Sequence, residues 1–334
     1  MSPSVKRRGA IAGFGAMAVL GHLPGWLAQP EVQIAAICDP AAERRHHAFR
    51  ILKGVRIYDN LDLMLDGERP DFVDIASPPA FHAAAARAAL EADAHVLVEK
   101  PLCLSLDELE SLIELARSRS RVLMCVHNWK HAPAYRKAFE IIESGRLGKL
   151  QEIKLERLRT APAGDQGTGG RWRRDPALGG GILIDHGWHA CYLAQWLTGG
   201  AAPRLVAARL AGEDGNGAEE IADLELTCAE GRRASIHLSW RAATRRTAAS
   251  IRGERAILEI EGDAVRLIEN HGARHDLPIS DAPDDSYHAA WFSAVAREFQ
   301  AAVEAGGGSI MMTNQSEARS TLAIISQARV AARS

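Results

Sequence analysis

Apolar and polar positions along this chain change their period about a third of the way in. The first third carries short apolar runs that end in breakers: Gly9–Ala12, Gln33–Cys38, Val55–Tyr58, Phe72–Ala76, His95–Val98 and Val122–Val126. Most are rich in β-branched or small residues, the signature of strands buried on both faces. Helical segments lie between them. His82–Glu91 is rich in alanine, which favours helix. In Ser105–Ala116, Ser105 and Glu108 stand at capping-box spacing, and Leu109, Leu112, Ile113 and Ala116 share a face. Strands alternating with helices predict right-handed βαβ units and a doubly wound parallel sheet, an α/β domain over residues 1–127.

Near His127 the pattern shifts. One helix follows, with Tyr135, Phe139 and Ile142 on a face and Gly145 as its stop. From about Leu150 the chain reads as longer alternating strands, among them Gln151–Leu158, Arg204–Leu210, Ile221–Cys228, Arg233–Trp240 and Ala256–Ile260. Turns at Gly212–Gly217 and Glu230-Gly231 separate several of them. Strands in succession without helices predict a large, mostly antiparallel open sheet. Helices around Ser286–Glu304 and Asn314–Ala332 close an α+β domain over residues 128–334. Ala161–Gly170, rich in Gly and polar residues, reads as a mobile loop.

Composition fits this division. A chain of 334 residues suits two domains, and 47% apolar with 25% charged residues is ordinary for a globular protein. A net charge of −2 argues against a nucleic-acid or membrane-surface partner. The short cluster Arg171–Arg174 reads as a solvated face. Cys38, Cys103, Cys125, Cys191 and Cys228 are odd in number and form no C-x-x-C pair, which points to buried free thiols in a reducing compartment. No apolar run has the length of a membrane span. Lys6-Arg7-Arg8 before an apolar stretch has the look of an export signal. That stretch is also the first strand, so it is read as structure and the protein as cytoplasmic.

Three motifs carry chemistry. Gly13-Phe14-Gly15-Ala16-Met17-Ala18 follows the first strand and opens a helix. Gly13 permits a tight turn, Gly15 lets the backbone approach a pyrophosphate, and the helix N-terminus attracts the anion. Asp39, ending the second strand, is placed to accept from ribose hydroxyls and to repel a 2′-phosphate, which favours NAD over NADP. Arg44 and Arg45, close behind it, either face solvent or admit NADP. Glu99-Lys100-Pro101 follows the fifth strand, where ligands bind in open α/β sheets. A lysine beside a cationic nicotinamide becomes a usable acid or base; a strand-end Glu-Lys is otherwise surface charge. Pro101 is a candidate cis proline. After Gly179-Gly180-Gly181 come Asp185 and His189, whose spacing puts both on one helical face. They read as a proton carrier with its carboxylate, or as a helix-face acid and a core histidine. A metal site with His186 lacks a supporting ligand cluster.

These motifs, in this order, resemble the family of glucose–fructose oxidoreductase, inositol dehydrogenase and rhizopine catabolism proteins. Ser77-Pro78-Pro79 with His82 resembles the family's nucleotide-contacting turn, and His22-Leu23-Pro24 the end of its first helix. The resemblance implies an N-terminal Rossmann domain and a C-terminal α+β domain whose sheet forms homodimer or homotetramer contacts. It implies that Lys100 and His189 flank the reacting carbon and that Asp185 orients His189 or binds a substrate hydroxyl. It further implies that Glu99 binds the nicotinamide ribose, that Ser77, Pro78, His82 and Asn128 lie near the cofactor, and that Trp172 and Arg173 touch cofactor or substrate. Trp129-Lys130-His131 replaces the usual Arg-Phe type sequence, no Asp follows His189, and His186 and Trp188 stand within the third motif; the substrate is what these departures put in doubt.

The expected activity is NAD(P)-dependent hydride transfer on a sugar, sugar acid or cyclitol, with Lys100, Asp185 and His189 as the acid–base set. Two alternatives stand beside it: an NAD-retaining glycoside hydrolase or lyase on the same scaffold, and a regulator that binds dinucleotide without chemistry. Arg171, Arg173 and Lys130 hint at an anionic substrate.

Overall fold

The computed structural model describes residues 6–164, 171–212, 217–279 and 287–332. The Gly212–Gly217 turn and the Ala161–Gly170 loop fall mostly outside these residues. The chain divides into two units. The first runs to Asn128 and takes in a later helix, Ala289–Glu304, and the start of the last helix as far as Gln315; the second starts at Trp129 and also holds the chain from Ser316.

The first unit is built on six strands: β1 (Arg7–Ala12), β2 (Val32–Cys38), β3 (Arg56–Tyr58), β4 (Phe72–Ile75), β5 (His95–Val98) and β6 (Leu123–Cys125). They are all parallel, in the order β3-β2-β1-β4-β5-β6. This is the expected doubly wound sheet, with its strand order reversing beside β1. Ser105 caps the helix Leu106–Ser118 by accepting from Glu108 N at 3.2 Å, while Glu108 Oε2 accepts from Leu104 N at 3.2 Å. The first helix departs from regular form. Its opening turn, Ala18–His22, is widened so that Leu23 N donates to Ala18 O, before an α-helical stretch Leu23–Leu27. Pro24 has no N–H to give the preceding turn, so the ladder shifts by one residue there.

The helix Ala289–Glu304 corrects the expected division of the chain, which placed all of 128–334 in the second domain. Its Phe292, Val295 and Phe299 are buried in one cluster with Ile11, Trp26, Phe72 and Leu97. Trp26 meets Phe72 at 4.6 Å and Phe292 at 5.7 Å between ring centroids, and Phe72 meets Phe299 edge-on at 5.7 Å. Periodicity reveals an apolar face but not the sheet that the face covers.

The second unit has eight strands: β7 (Leu150–Leu158), β8 (Arg204–Ala211), β9 (Ile221–Thr227), β10 (Arg233–Ser239), β11 (Arg246–Gly253), β12 (Ala256–Glu261), β13 (Ala264–Glu269) and β14 (Arg274–Leu277). Their order is β14-β13-β12-β11-β7-β10-β9-β8, antiparallel except for β7 against β10. One face carries the core: Ile153 and Leu155 of β7, Ile236 and Leu238 of β10, and Ala249 and Ile251 of β11 are buried. Tyr135, Ala138 and Ile141 are buried on the helix Pro133–Glu143, and Phe139 stacks on Trp196 at 4.5 Å.

All five cysteines are buried and unpaired. Burial pushes the Cys103 and Cys191 thiols up to about 12. Among the described residues no helix is long and apolar enough to cross a membrane.

If Ala289–Glu304 belongs to the first core, Phe292→Ala should destabilise that core by about 3–5 kcal/mol. Amide exchange should then rise in β1 and β4 while β9 and β10 keep their protection. Faster exchange confined to β9 and β10 would reverse the assignment.

Candidate active site

In the first unit the carboxyl ends of the strands bring together most of the residues expected to meet a cofactor. Gly13 sits directly after β1 with φ +92°, and a Cβ there would lie 2.6 Å from Ser77 N. Only glycine fits. Gly15 is different: a Cβ would meet nothing nearer than Arg44 Nη1 at 3.8 Å. Internal packing does not require this glycine, and the room it leaves suits a close approach of the backbone to a ligand. Ala16 is exposed and Met17 half-buried at the start of the helix.

Asp39 and Phe14, both expected at the cofactor, are bonded to each other. Asp39 is 1% exposed; its Oδ2 accepts from Phe14 N at 2.7 Å and lies 3.3 Å from Arg44 Nη1, and its Oδ1 accepts from Ala41 N at 2.9 Å. The carboxylate therefore locks the glycine turn and holds Arg44 beside Gly15. Phe14 has its side chain in the core and its N–H on Asp39. His82 is likewise bonded within the protein. Its buried ring spans the Ser77 carbonyl, 2.7 Å from Nε2, and the Pro101 carbonyl, 2.6 Å from Nδ1. Burial, above all, lowers its pKa. It bridges the turns after β4 and β5.

Other positions fit a dinucleotide well. Ser77 Oγ, after β4, and Asn128 Oδ1, after β6, are buried with no hydrogen-bond partner. Buried polar atoms are seldom left so without a functional reason. Pro78 is half-buried in the same turn as Ser77. Lys100, also half-buried, precedes Pro101 across a cis peptide bond.

Glu99 belongs to a network that the motifs did not reveal. His22, 1% exposed, points Nδ1 at both Asp74 oxygens, 3.0 and 2.9 Å away, and Nε2 at Glu99 Oε1, 3.0 Å away. A carboxylate at each nitrogen favours the imidazolium, in which both nitrogens donate. Burial works against that charge, but Asp74 and then Glu99 outweigh it and hold the pKa up to about 10. Burial likewise works against the Glu99 charge, and His22 overrides it, leaving the carboxyl below its ordinary value. Trp26 Nε1 donates to Asp74 Oδ2 at 2.7 Å, Lys100 N donates to Glu99 Oε2 at 2.9 Å, and Phe292 stacks on the imidazole at 3.9 Å. The sequence did carry a signal: Asp74 is an acid in the middle of an apolar strand, and a buried acid demands a partner.

In the second unit the third motif forms a compact group. A widened turn, Leu183–Gly187, leads into the helix Trp188–Leu197. His189 is half-buried, with Nδ1 2.9 Å from Tyr192 Oη and its ring 5.6 Å from that of Trp129. Trp129 N also donates to Tyr192 Oη at 3.0 Å. Asp185, 3% exposed, pairs through Oδ2 with Arg173 Nε at 3.1 Å and lies 3.6 Å from His186 Nε2. Arg173 in turn stands 4.5 Å over Trp172. Trp172, Arg173 and Asp185 thus come together, while His189 bonds to Tyr192. Lys130 does not join them; it is spent on Glu317 at 3.0 and 3.1 Å. Among the described residues no group of three or more His, Cys, Asp or Glu is arranged to hold a metal ion.

One unit thus carries a doubly wound parallel sheet, and the other a His189–Tyr192 pair and an Asp185–Arg173 pair. Comparison with known proteins agrees. Residues 7–127 match the model of an oxidoreductase family with an NAD-binding Rossmann fold, and residues 135–259 match the GFO/IDH/MocA C-terminal domain. The chain belongs to this Gfo/Idh/MocA oxidoreductase family. It is 30% identical to a dTDP-3,4-didehydro-2,6-dideoxy-alpha-D-glucose 3-reductase of Streptomyces antibioticus, over 92% of this chain and 91% of that protein. It is 28% identical to the D-glucoside 3-dehydrogenase of Escherichia coli, over 60% of this chain and 56% of the other. The chain spans about half the length of several curated relatives that it matches. In structure it is similar to GenD2 from gentamicin A biosynthesis, in complex with NAD, with a TM-score of 0.83 at 25% identity over 99% of this chain and 96% of that one. It is also similar in fold to the aldose-aldose oxidoreductase of Caulobacter crescentus, with a TM-score of 0.83 at 22% identity over 98% of each chain.

His22→Leu leaves two buried carboxylates facing each other, and breaking a buried ion network in this way costs about 3–5 kcal/mol. Urea unfolding at neutral pH should show a loss of that order. The His22 pKa is raised on folding from 6.5 to about 10. Its stabilisation is therefore complete below the lower value and lost as pH rises through the upper. The gap between wild type and variant should accordingly narrow towards about pH 10; a gap that is constant with pH would mean that the ring carries no charge.

Proposed function

We propose that this chain is an NAD(P)-dependent oxidoreductase acting on a CH–OH group of a polyhydroxylated substrate, a sugar, sugar acid or cyclitol. The observation that carries the reading is the seating of His189. Its ring is held by the Tyr192 hydroxyl and packed near Trp129. A histidine oriented in this way suits proton transfer to or from a hydroxyl. Relatives named as a sugar 3-reductase and a glucoside 3-dehydrogenase support the substrate class.

When bound, the nicotinamide supplies a two-electron acceptor or donor. Gly13, Gly15, Ala16, Met17, Ser77, Pro78 and Asn128 would hold the dinucleotide, with Glu99 kept ionised by His22 for a ribose hydroxyl. In the oxidative direction His189 takes the hydroxyl proton, and Lys100 stabilises the negative charge that develops on that oxygen. Asp185 and Arg173, with Trp172, bind and orient the substrate. Five buried thiols suit a reducing, cytoplasmic setting, and the family resemblance carries self-association through the second sheet.

Both dinucleotides fall within this reading. Asp39 disfavours a 2′-phosphate, while Arg44, paired with it, offers that phosphate a cation. Arg44→Ala should weaken NADP binding more than NAD binding in a fluorescence titration. Equal loss for both would remove Arg44 from this role.

Lys100→Met and His189→Ala should each lower turnover by about 10²–10⁴-fold, with NAD binding nearly intact. Unchanged turnover in both would sink the assignment. NADH formed in step with substrate consumed would exclude a redox-neutral hydrolase or lyase. NAD binding without chemistry across a broad panel of sugars, sugar acids and cyclitols would instead favour a sensor.

A further inference from the structure

The core face of the second sheet carries a charge where its pattern calls for an apolar side chain. Ile153 and Leu155 of β7 are buried on that face, and two residues on the same row places Arg157. Its cross-strand neighbours are Leu238 of β10 and Thr247 of β11. The guanidinium stacks on Trp129, its central carbon 3.5 Å from the ring centroid. Nη1 donates weakly to Thr247 Oγ1 at 3.4 Å, and Nε is buried with no acceptor. Arg159 follows on the same side of the chain. It donates to Leu158 O at 2.6 Å, Arg246 O at 2.9 Å and Thr247 Oγ1 at 3.1 Å.

Among the described residues, every hydrogen bond of these two guanidinia therefore goes to a neutral acceptor. Asp185, the acid whose field reaches both, is paired with Arg173. Burial and the neighbouring arginines hold Arg157 well below its ordinary pKa and bring Arg159 down to about 10. Partly buried cations without a counter-ion are costly to keep in a folded protein. Packing alone would favour an apolar residue at 157. The position is also within one ring of the chemistry, because Trp129, which carries Arg157, lies 5.6 Å from His189.

We propose that Arg157, seated on Trp129 with Arg159 behind it, recognises an oxyanion on the substrate, so that the polyhydroxylated substrate is an acid, bearing a carboxylate or a phosphate ester. A planar guanidinium fixed by stacking is pre-organised for such a group. The inference deepens the reading of His189 as the proton carrier and rests on it. It also moves the acidic-substrate hint from Lys130, which Glu317 occupies, to residues whose spacing gave no sign of it.

The test is calorimetric titration of the NADH-loaded protein with glucose, gluconate, glucuronate, glucose 6-phosphate and myo-inositol. At least one acid should bind about 10- to 100-fold more tightly than its neutral parent, the range expected of a charge-assisted hydrogen bond. Gluconate and glucuronate against glucose 6-phosphate distinguish carboxylate from phosphate. Arg157→Met should bring the ratio of acid to neutral affinity to about one, while Arg157→Lys keeps part of it. The melting temperature of ligand-free Arg157→Met should be equal to wild type or higher, whereas a purely structural arginine would lower it. Neutral sugars binding as tightly as acids, no acid binding at all, or a ratio unchanged in Arg157→Met would each overturn the proposal. Binding is read here without turnover. An acid that binds through Arg157 yet yields no nicotinamide chemistry would count against the oxidoreductase reading alone.

Discussion

A single buried cation holds the cofactor end of the first unit in place. His22 lies between Asp74 and Glu99, and through them it joins the first helix, the central strand β4 and the turn that carries Lys100. None of these three groups tolerates burial alone, since an isolated charge in a protein interior is strongly unfavourable. Together, with Trp26 and the Lys100 amide also donating to the two carboxylates, they are mutually satisfied. Phe292 closes over the imidazole, so the helix Ala289–Glu304, far away in sequence, is tied to the same point. The widened turn at Ala18–His22 is part of this arrangement, because it sets the register in which His22 faces the sheet.

The interaction gives the first motifs a physical order. Gly13 and Asp39 form the turn, the one by its positive φ and the other by its hold on Phe14 N. His82 braces the turns after β4 and β5. Beside these internal contacts lie the room above Gly15 and the unpartnered atoms of Ser77 and Asn128. A rigid frame that leaves a few polar groups unsatisfied suits a cofactor site.

Much of this was legible in the sequence. All six parallel strands and the capped helix after Ser105 could be read there, because buried strands and capping boxes leave local signals. What could not be read depends on partners distant in sequence. Nothing near Phe292 says that its face covers the sheet of the first unit, and nothing near His22 says that Asp74 awaits it. The motifs place Asp39, Phe14 and His82 at the strand ends, but they do not reveal that each is also bonded within the protein. Side-chain type predicts what a group can do, and only geometry shows whether that capacity is already used. Lys130 and Arg157 make the same point in the second unit. The lysine near the motif is neutralised by Glu317, and the arginine inside a strand is left with neutral acceptors.

The account stands on His22 being a permanent cation, and nitrogen-15 NMR of its ring tests this directly. Both ring nitrogens should show imidazolium shifts, unchanged from about pH 6 to about pH 9, as a pKa near 10 requires. A ring that titrates close to the ordinary histidine value, or that stays neutral throughout, would contradict it.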